Sequence, residues 1–167
     1  MERISDIINR IAEIAIVIII SIMAVAVFAE VIFRYVLPLP LFWTEEFARY
    51  CLVWSSLLGA GVALKRGEHI AVTFFTNKFP KRIQIDSLLL VQIFIVVFLG
   101  IIFWGGFCLV IITRHQLSPA MRIPMSWPYM AVPIGSLIML FHEITFIYLQ
   151  LKAMTERSSH NAAAIGR

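Results

Sequence analysis

The chain has 167 residues, of which 60% are hydrophobic and 14% charged, a balance that excludes an ordinary water-soluble domain and indicates an integral membrane protein. The formal net charge of +4 does not point to nucleic acid, because the fourteen Lys and Arg residues fall between apolar runs rather than along one exposed face. Those runs lack the period-two alternation of membrane strands, so helices are the predicted way to satisfy the backbone in hydrocarbon.

Ile4, Ile7, Ile8 and Ile11 recur at helical spacing with Arg3, Asp6, Arg10 and Glu13 on the other side, which predicts an amphipathic N-terminal segment on the cytoplasmic interface. It either turns inward or runs straight into a first span, roughly Ile11 to Tyr35. A removable signal peptide is the competing reading, since Ala24-Val25-Ala26 has the form of a small-residue cleavage site. Glu2, Asp6 and Glu13 suit a basic leader poorly, however, and the apolar pattern continues to Val36. Pro38 and Pro40 cannot continue a helix, so a short periplasmic turn is predicted there.

Thr44 is a reasonable N-cap for a second span, roughly Glu45 to Leu64, with Glu45 and Glu46 where the helix dipole favours negative charge. Ser55, Gly59 and Ala63 are four apart, with Ser56 and Ala60 beside them. Such small-xxx-small spacing predicts a helix-packing face, although small residues are also simply common in membrane helices. Between Lys65 and Arg82, Ile70, Phe74 and Phe75 interleave with polar residues in a stretch too short to span, which predicts a short interfacial helix between spans 2 and 3. Pro80 suits the first turn of the third helix. From Ser87 to Thr113 that helix holds no charged residue and reaches ~40 Å at ~1.5 Å per residue, so it must tilt or protrude into the interfaces.

Pro119, Pro124, Pro128 and Pro133 then recur with Trp127 and Tyr129 between them, which predicts shaped irregular backbone at a membrane interface. The fourth span is predicted from Pro128 to Leu151, with Pro133 placed to bend it early. The expected fold is thus all-α and membrane-integral: four transmembrane helices in one domain over residues 1–157, with residues 158–167 a flexible cytoplasmic tail.

Arg3, Arg10, Lys65, Arg66, Lys78, Lys81, Arg82, Lys152, Arg157 and Arg167 fall on one side of this arrangement, and Arg34, Arg49, Arg114 and Arg122 on the other. The positive-inside rule makes the first side, with both termini, cytoplasmic. Cys51 and Cys108 lie inside predicted spans and read as small apolar fillers rather than disulfide partners.

Glu30 and Arg34 are four apart on the first helix, as are Glu45 and Arg49 on the second, all near the periplasmic end. Cross-helix pairing of Glu30 with Arg49, or of Arg34 with Glu45 or Glu46, is geometrically possible. Two readings stand: a polar surface for a membrane or periplasmic partner, or an internal clasp that fixes the hairpin. His142 and Glu143, in the cytoplasmic third of the fourth span, allow a proton relay or, more plainly, polar groups paired within the bundle.

The sequence contains no GxxxxGK[ST] phosphate loop, no metal-spaced His/Cys cluster and no nucleophile–base pair. His69, His115, His142 and His160 are not placed to clamp one haem between spans. An autonomous four-helix proton-coupled exporter needs an acid in its first helix, and Glu30 is the only candidate. Its neighbour Arg34 can neutralise it. A redox membrane anchor is weaker still.

Two segments, FRYVLPLPLFWTEEFARYCLVWSSLLGAGVALKRGEHI (Phe33 to Ile70) and QLSPAMRIPMSWPYMAVPIG (Gln116 to Gly135), resemble the small membrane subunit of tripartite ATP-independent periplasmic (TRAP) transporters. The resemblance covers nearly the whole chain between the amphipathic start and the tail. It implies a multi-pass protein of a bacterial or archaeal cytoplasmic (inner) membrane, a scaffold rather than an enzyme. Its implied partners are a large multi-span membrane subunit that moves as an elevator, a periplasmic substrate-binding protein and membrane lipid, with no nucleic acid. The implied activity is sodium-driven uptake of an organic acid, with substrate and sodium sites in the large subunit and no cofactor here. Arg34, Trp43, Glu45, Glu46 and Arg49 match the first family segment, and with Glu30 they form the implied periplasmic charge cluster. Gln116, Ser118, Pro119, Pro124, Trp127 and Pro128 match the second, and with Arg122 they form a periplasmic proline-rich docking segment. Many relatives carry an acid near the position of Thr73, after Glu68 and His69, and this chain does not.

Overall fold

The structure is a computed structural model that describes the backbone of residues 2–37, 39, 41–67 and 81–165, and side chains within 3–66 and 90–152 of these. The predicted turn at Pro38 and Pro40, the interfacial helix over residues 68–80 with Thr73, and the placement of Pro80 lie outside the described residues. The described chain forms α1 (Glu2–Tyr35), α2 (Thr44–Gly67), α3 (Lys81–Thr113), α4 (Ser126–Tyr129) and α5 (Ala131–Ile165). Among the described residues there is no strand, only one isolated bridge between Leu117 and Pro124.

Four stretches are long and apolar enough to cross a membrane: Arg3–Tyr35, Thr44–Arg66, Leu90–Thr113 and Ser126–Lys152. They agree with the four predicted spans to within a few residues at their inner ends. The largest difference is the first, because the N-terminal segment is continuous with the first span in one unbroken helix. Of the two predicted courses, the continuous one is observed.

Helix α5 is central and packs against both α2 and α3, while α1 lies along α2 and meets α5 more sparingly. This leaves broad apolar faces outward on α1 and α3, with Val25 and Ile112 each 70% exposed. Among the described residues the buried side chains are mostly polar or small, including Gln92, Ser136, His142 and Glu143, with Ala12, Leu58, Leu99 and Ala131 as the buried hydrophobic ones. Such an inverted distribution suits a chain whose solvent is lipid, where close packing and interhelical hydrogen bonds hold helices together.

Close approach is achieved at glycines. A Cβ on Gly106 of α3 would lie 2.7 Å from Val132 Cγ1 and 3.0 Å from Pro133 Cδ, and one on Gly135 of α5 would lie 2.9 Å from Leu57 Cβ. Gly61 of α2 sits against Ile138. The face predicted for packing runs differently: Ser56, Ala60 and Ala63 are exposed, Ser55 is half-buried, and nothing lies within 4 Å of a Cβ built on Gly59. Within this chain, then, α2 uses Gly61 rather than that stripe, because α5 lies on the other side of the helix.

Two local expectations also change. Thr44 is buried with no hydrogen bond at Oγ1, and the first bond of α2 runs from Phe47 N–H to the Trp43 carbonyl, so the hydroxyl does not cap the helix. Pro133 falls in the first turn of α5, where its missing N–H needs no helical partner. At the far end α5 continues to Ile165, where alanines favour helix.

Candidate functional site

Two polar layers stand at opposite ends of the spans, and each is built from residues far apart in the chain. The first is at the proline-rich end. There Glu46, in the first turn of α2, turns its carboxylate onto the loop between α3 and α4, where Oε2 accepts backbone N–H bonds from Ala120 at 2.8 Å and Met121 at 3.1 Å. Tyr50, one turn on, donates its hydroxyl to Glu46 Oε1. The same hydroxyl lies 3.3 Å from the Met125 sulfur. One carboxylate thus ties α2 to a loop that has no helix of its own.

The loop is internally braced as well. Ser118 N–H donates to the Ile123 carbonyl at 2.9 Å, Met125 N–H to the Gln116 carbonyl at 2.8 Å, and Arg122 N–H to the Ser118 carbonyl at 3.2 Å. Ser118 is buried, and its Oγ accepts from Ile123 N–H at 3.4 Å. This tight closure places Arg122 in the left-handed region, φ 55°, an uncommon conformation for a residue with a Cβ. Pro128 is buried in α4, whereas Trp127 is 66% exposed. Between α2 and the loop lies a cleft of about 410 Å³ bordered by Phe42, Glu45, Arg49, Pro119 and Tyr129.

The predicted charge cluster is only partly assembled. Arg49 bonds Glu45 at 3.1 Å within α2, and both side chains are largely exposed, so the pair adds little stability. Neither Glu30 with Arg49 nor Arg34 with Glu45 or Glu46 forms an ion pair among the described residues. The cross-helix clasp is therefore absent, because Glu46 is engaged by the loop and Glu45 by its own helix. Trp43 packs edge-on against Phe47 with centroids 6.1 Å apart.

The second layer, at the basic end, was not anticipated. Asp6 meets Lys65 at 2.5 Å and Glu13 meets Arg66 at 2.7 Å, so the acids of the first turns of α1 face the basic last turn of α2. Asn9 Nδ2 donates to Glu13 Oε1 at 2.5 Å. Deeper in, Ser5 Oγ lies 2.8 Å from His142 Nδ1, and Gln92 Nε2 donates to Gln150 Oε1 at 2.9 Å. In this segment Ser5 and Ala12 are buried and Glu13 is half-buried, while Ile4, Ile7 and Ile11, like Arg3, Asp6 and Arg10, remain exposed. The signal was available in the sequence as complementary charge at the two far ends of a helical hairpin.

Among the described residues no group of His, Cys, Asp or Glu could hold a metal ion, and the hydroxyl–imidazole contact of Ser5 with His142 is buried between α1 and α5. What the geometry defines is a multi-pass membrane protein with a stiffened loop at one end and an interhelical charge lock at the other. The chain belongs to the DctQ component of the tripartite ATP-independent periplasmic transporters, whose family pattern matches residues 4–153. It is similar to the sialic acid TRAP transporter small permease protein SiaQ of Vibrio cholerae serotype O1, 27% identical over 165 residues that cover 95% of this chain and 92% of that one. It is also similar to the ectoine TRAP transporter small permease protein TeaB of Halomonas elongata, 24% identical over 99% of this chain and 85% of its relative. A third relative, the isethionate TRAP transporter permease protein DctMQ of Oleidesulfovibrio alaskensis, is 32% identical over 56% of this chain, which amounts to 15% of that protein. The protein is accordingly a small permease subunit of the inner membrane, a transport component and not an enzyme.

Proposed function

We propose that this subunit braces a large multi-span permease subunit and helps dock a periplasmic substrate-binding protein, in a transporter that takes up an organic acid with sodium. The observation that carries the docking role is the Glu46 carboxylate bonding Ala120 and Met121, which presents the proline-rich loop as a fixed surface rather than a loose connection. Arg34, Arg49 and Arg122 then offer exposed cations around it. The bracing role is supported by DctMQ, in which the part similar to this chain is a minor share of one longer permease protein. Relatives named for sialic acid, ectoine and isethionate share this subunit type, which supports placing substrate choice in the other subunits, and sodium coupling belongs with it there in this reading.

By the distribution of Lys and Arg, the Lys65–Arg66 end and both termini are cytoplasmic, and residues 1–157 act as one membrane domain. The test is uptake by proteoliposomes that contain the large subunit, with binding protein outside, prepared with and without this chain. Uptake is expected only with both membrane subunits. Accumulation of solute against a gradient by this chain alone would replace the scaffold reading with that of an autonomous exporter.

A further inference from the structure

The cleft of about 410 Å³ at the proline-rich end has two walls that come from distant parts of the chain. One is the α2 stripe of Glu46, Arg49 and Val53, and the other is Pro119 of the loop with Pro128 of α4. Val53 is half-buried and Pro128 buried, so apolar surface lies within, whereas Glu45 and Arg49 stand exposed at the edge. Arg49 gives Glu45 one bond, from Nη2 at 3.1 Å, and among the described residues its Nε and Nη1 make none. A guanidinium holds a carboxylate best through two parallel N–H bonds, which this single contact does not supply.

We infer that an acidic side chain of the periplasmic binding protein enters this cleft and takes Arg49 from Glu45. This rests on the docking role proposed above and names the chemistry that docking uses. Two features set the sign of the partner's charge. The cleft lies beside the first turn of α2, where the helix dipole favours an added anion. At this end of the spans Arg34, Arg49, Arg114 and Arg122 outnumber Glu30, Glu45 and Glu46, so the summed charge is positive. Glu46 opposes the newcomer little, because two backbone N–H groups and the Tyr50 hydroxyl already meet its carboxylate. Releasing Glu45 costs little as well, since both members of its pair are largely exposed. Glu45 is thus an internal stand-in that the partner's carboxylate displaces.

The test is the affinity of the transporter's own binding protein for nanodiscs holding this chain with its large subunit, with nanodiscs of the large subunit alone as reference. Arg49→Gln is expected to weaken binding about tenfold through loss of a charge-assisted contact. Glu45→Gln removes the competitor and is expected to tighten binding about two- to fivefold. Both variants break the same intrahelical pair, so a merely structural role would move them in one direction. Val53→Phe, which narrows the apolar part without altering charge, is expected to weaken binding, with Val53→Leu in its place should it fail to assemble. Failure of Glu45→Gln to tighten binding, or of Arg49→Gln or the Val53 variant to weaken it, overturns the inference while the docking role stands. Equal affinity for the large subunit alone and for the complex overturns the docking role itself, and this inference with it.

Discussion

Ser5 Oγ and His142 Nδ1 lie 2.8 Å apart inside the protein, although 137 residues separate them in the chain. The contact fixes the first turns of α1 against α5, and with Glu143 beside it forms a buried polar cluster at the basic end. Hydrogen bonds between membrane helices average about 0.6 kcal/mol and reach ~1.7 kcal/mol, since the unfolded chain in lipid also finds partners. Ser5→Ala is expected to destabilise by about 1 kcal/mol, measured as a lower midpoint of unfolding in mixed micelles. A His142→Ala, Glu143→Gln double variant in the assembled transporter is expected to keep ordinary uptake. Loss of uptake in a complex that still assembles would instead assign the pair a role in proton movement.

The Asp6–Lys65 contact makes a separable prediction. Lys65 is the shielded partner, its side chain 17% exposed against 70% for Asp6, so reversing Asp6 sets two cations against each other at the seam of α1 and α2. Asp6→Lys is expected to reduce the yield of assembled protein, and Asp6→Lys with Lys65→Asp to restore most of it. A coupling of about 0.5–1 kcal/mol is expected from the double-mutant cycle, the upper range for a pair with one exposed partner. A coupling of zero would show that the two charges merely lie close.

Much of this architecture was legible because lipid makes the sequence signal coarse: an uncharged run such as Ser87 to Thr113 has few alternatives to a membrane helix. The polar layers were harder to read. Glu45 and Glu46 are adjacent and chemically alike, yet one faces its own helix and the other a loop 74 residues away, a distinction that depends on how far the connection after α3 folds back. Spacing also shows that Gly59 and Gly61 both sit on α2 but not which of them meets α5, since that choice is fixed by the rotation of the helix about its axis. Spacing puts Asp6 and Glu13 opposite the isoleucines, but amphipathicity alone does not show that they meet Lys65 and Arg66.

Glu46 supplies the third prediction. Its two backbone donors lose their acceptor in Glu46→Ala, and Glu46→Gln retains an acceptor oxygen without the charge, so the two variants should form a graded series. Amide exchange at Ala120 and Met121 is expected to accelerate about tenfold or more in Glu46→Ala and less in Glu46→Gln. Affinity for the binding protein should fall in the same order while the membrane subunits stay together. Faster exchange with unaltered affinity would separate the loop from docking.

The glycines distinguish internal packing from a face offered to a partner. Gly106→Ala would drive a Cβ to within 2.7 Å of Val132 Cγ1, a clash that the α3–α5 contact relieves only by moving apart, at a cost of about 1–3 kcal/mol. Gly59→Ala meets nothing within 4 Å and gains up to ~1 kcal/mol of helix propensity. The isolated subunit should therefore be destabilised by the first substitution and unharmed or strengthened by the second, as read from unfolding midpoints. In the complete complex the outcome for Gly59→Ala depends on what covers the Ser56–Ala60–Ala63 face. If a helix of the large subunit packs there closely, the same methyl group weakens co-purification. If lipid covers it, co-purification is unchanged, and the brace must lie on another surface, such as the broad apolar face of α3.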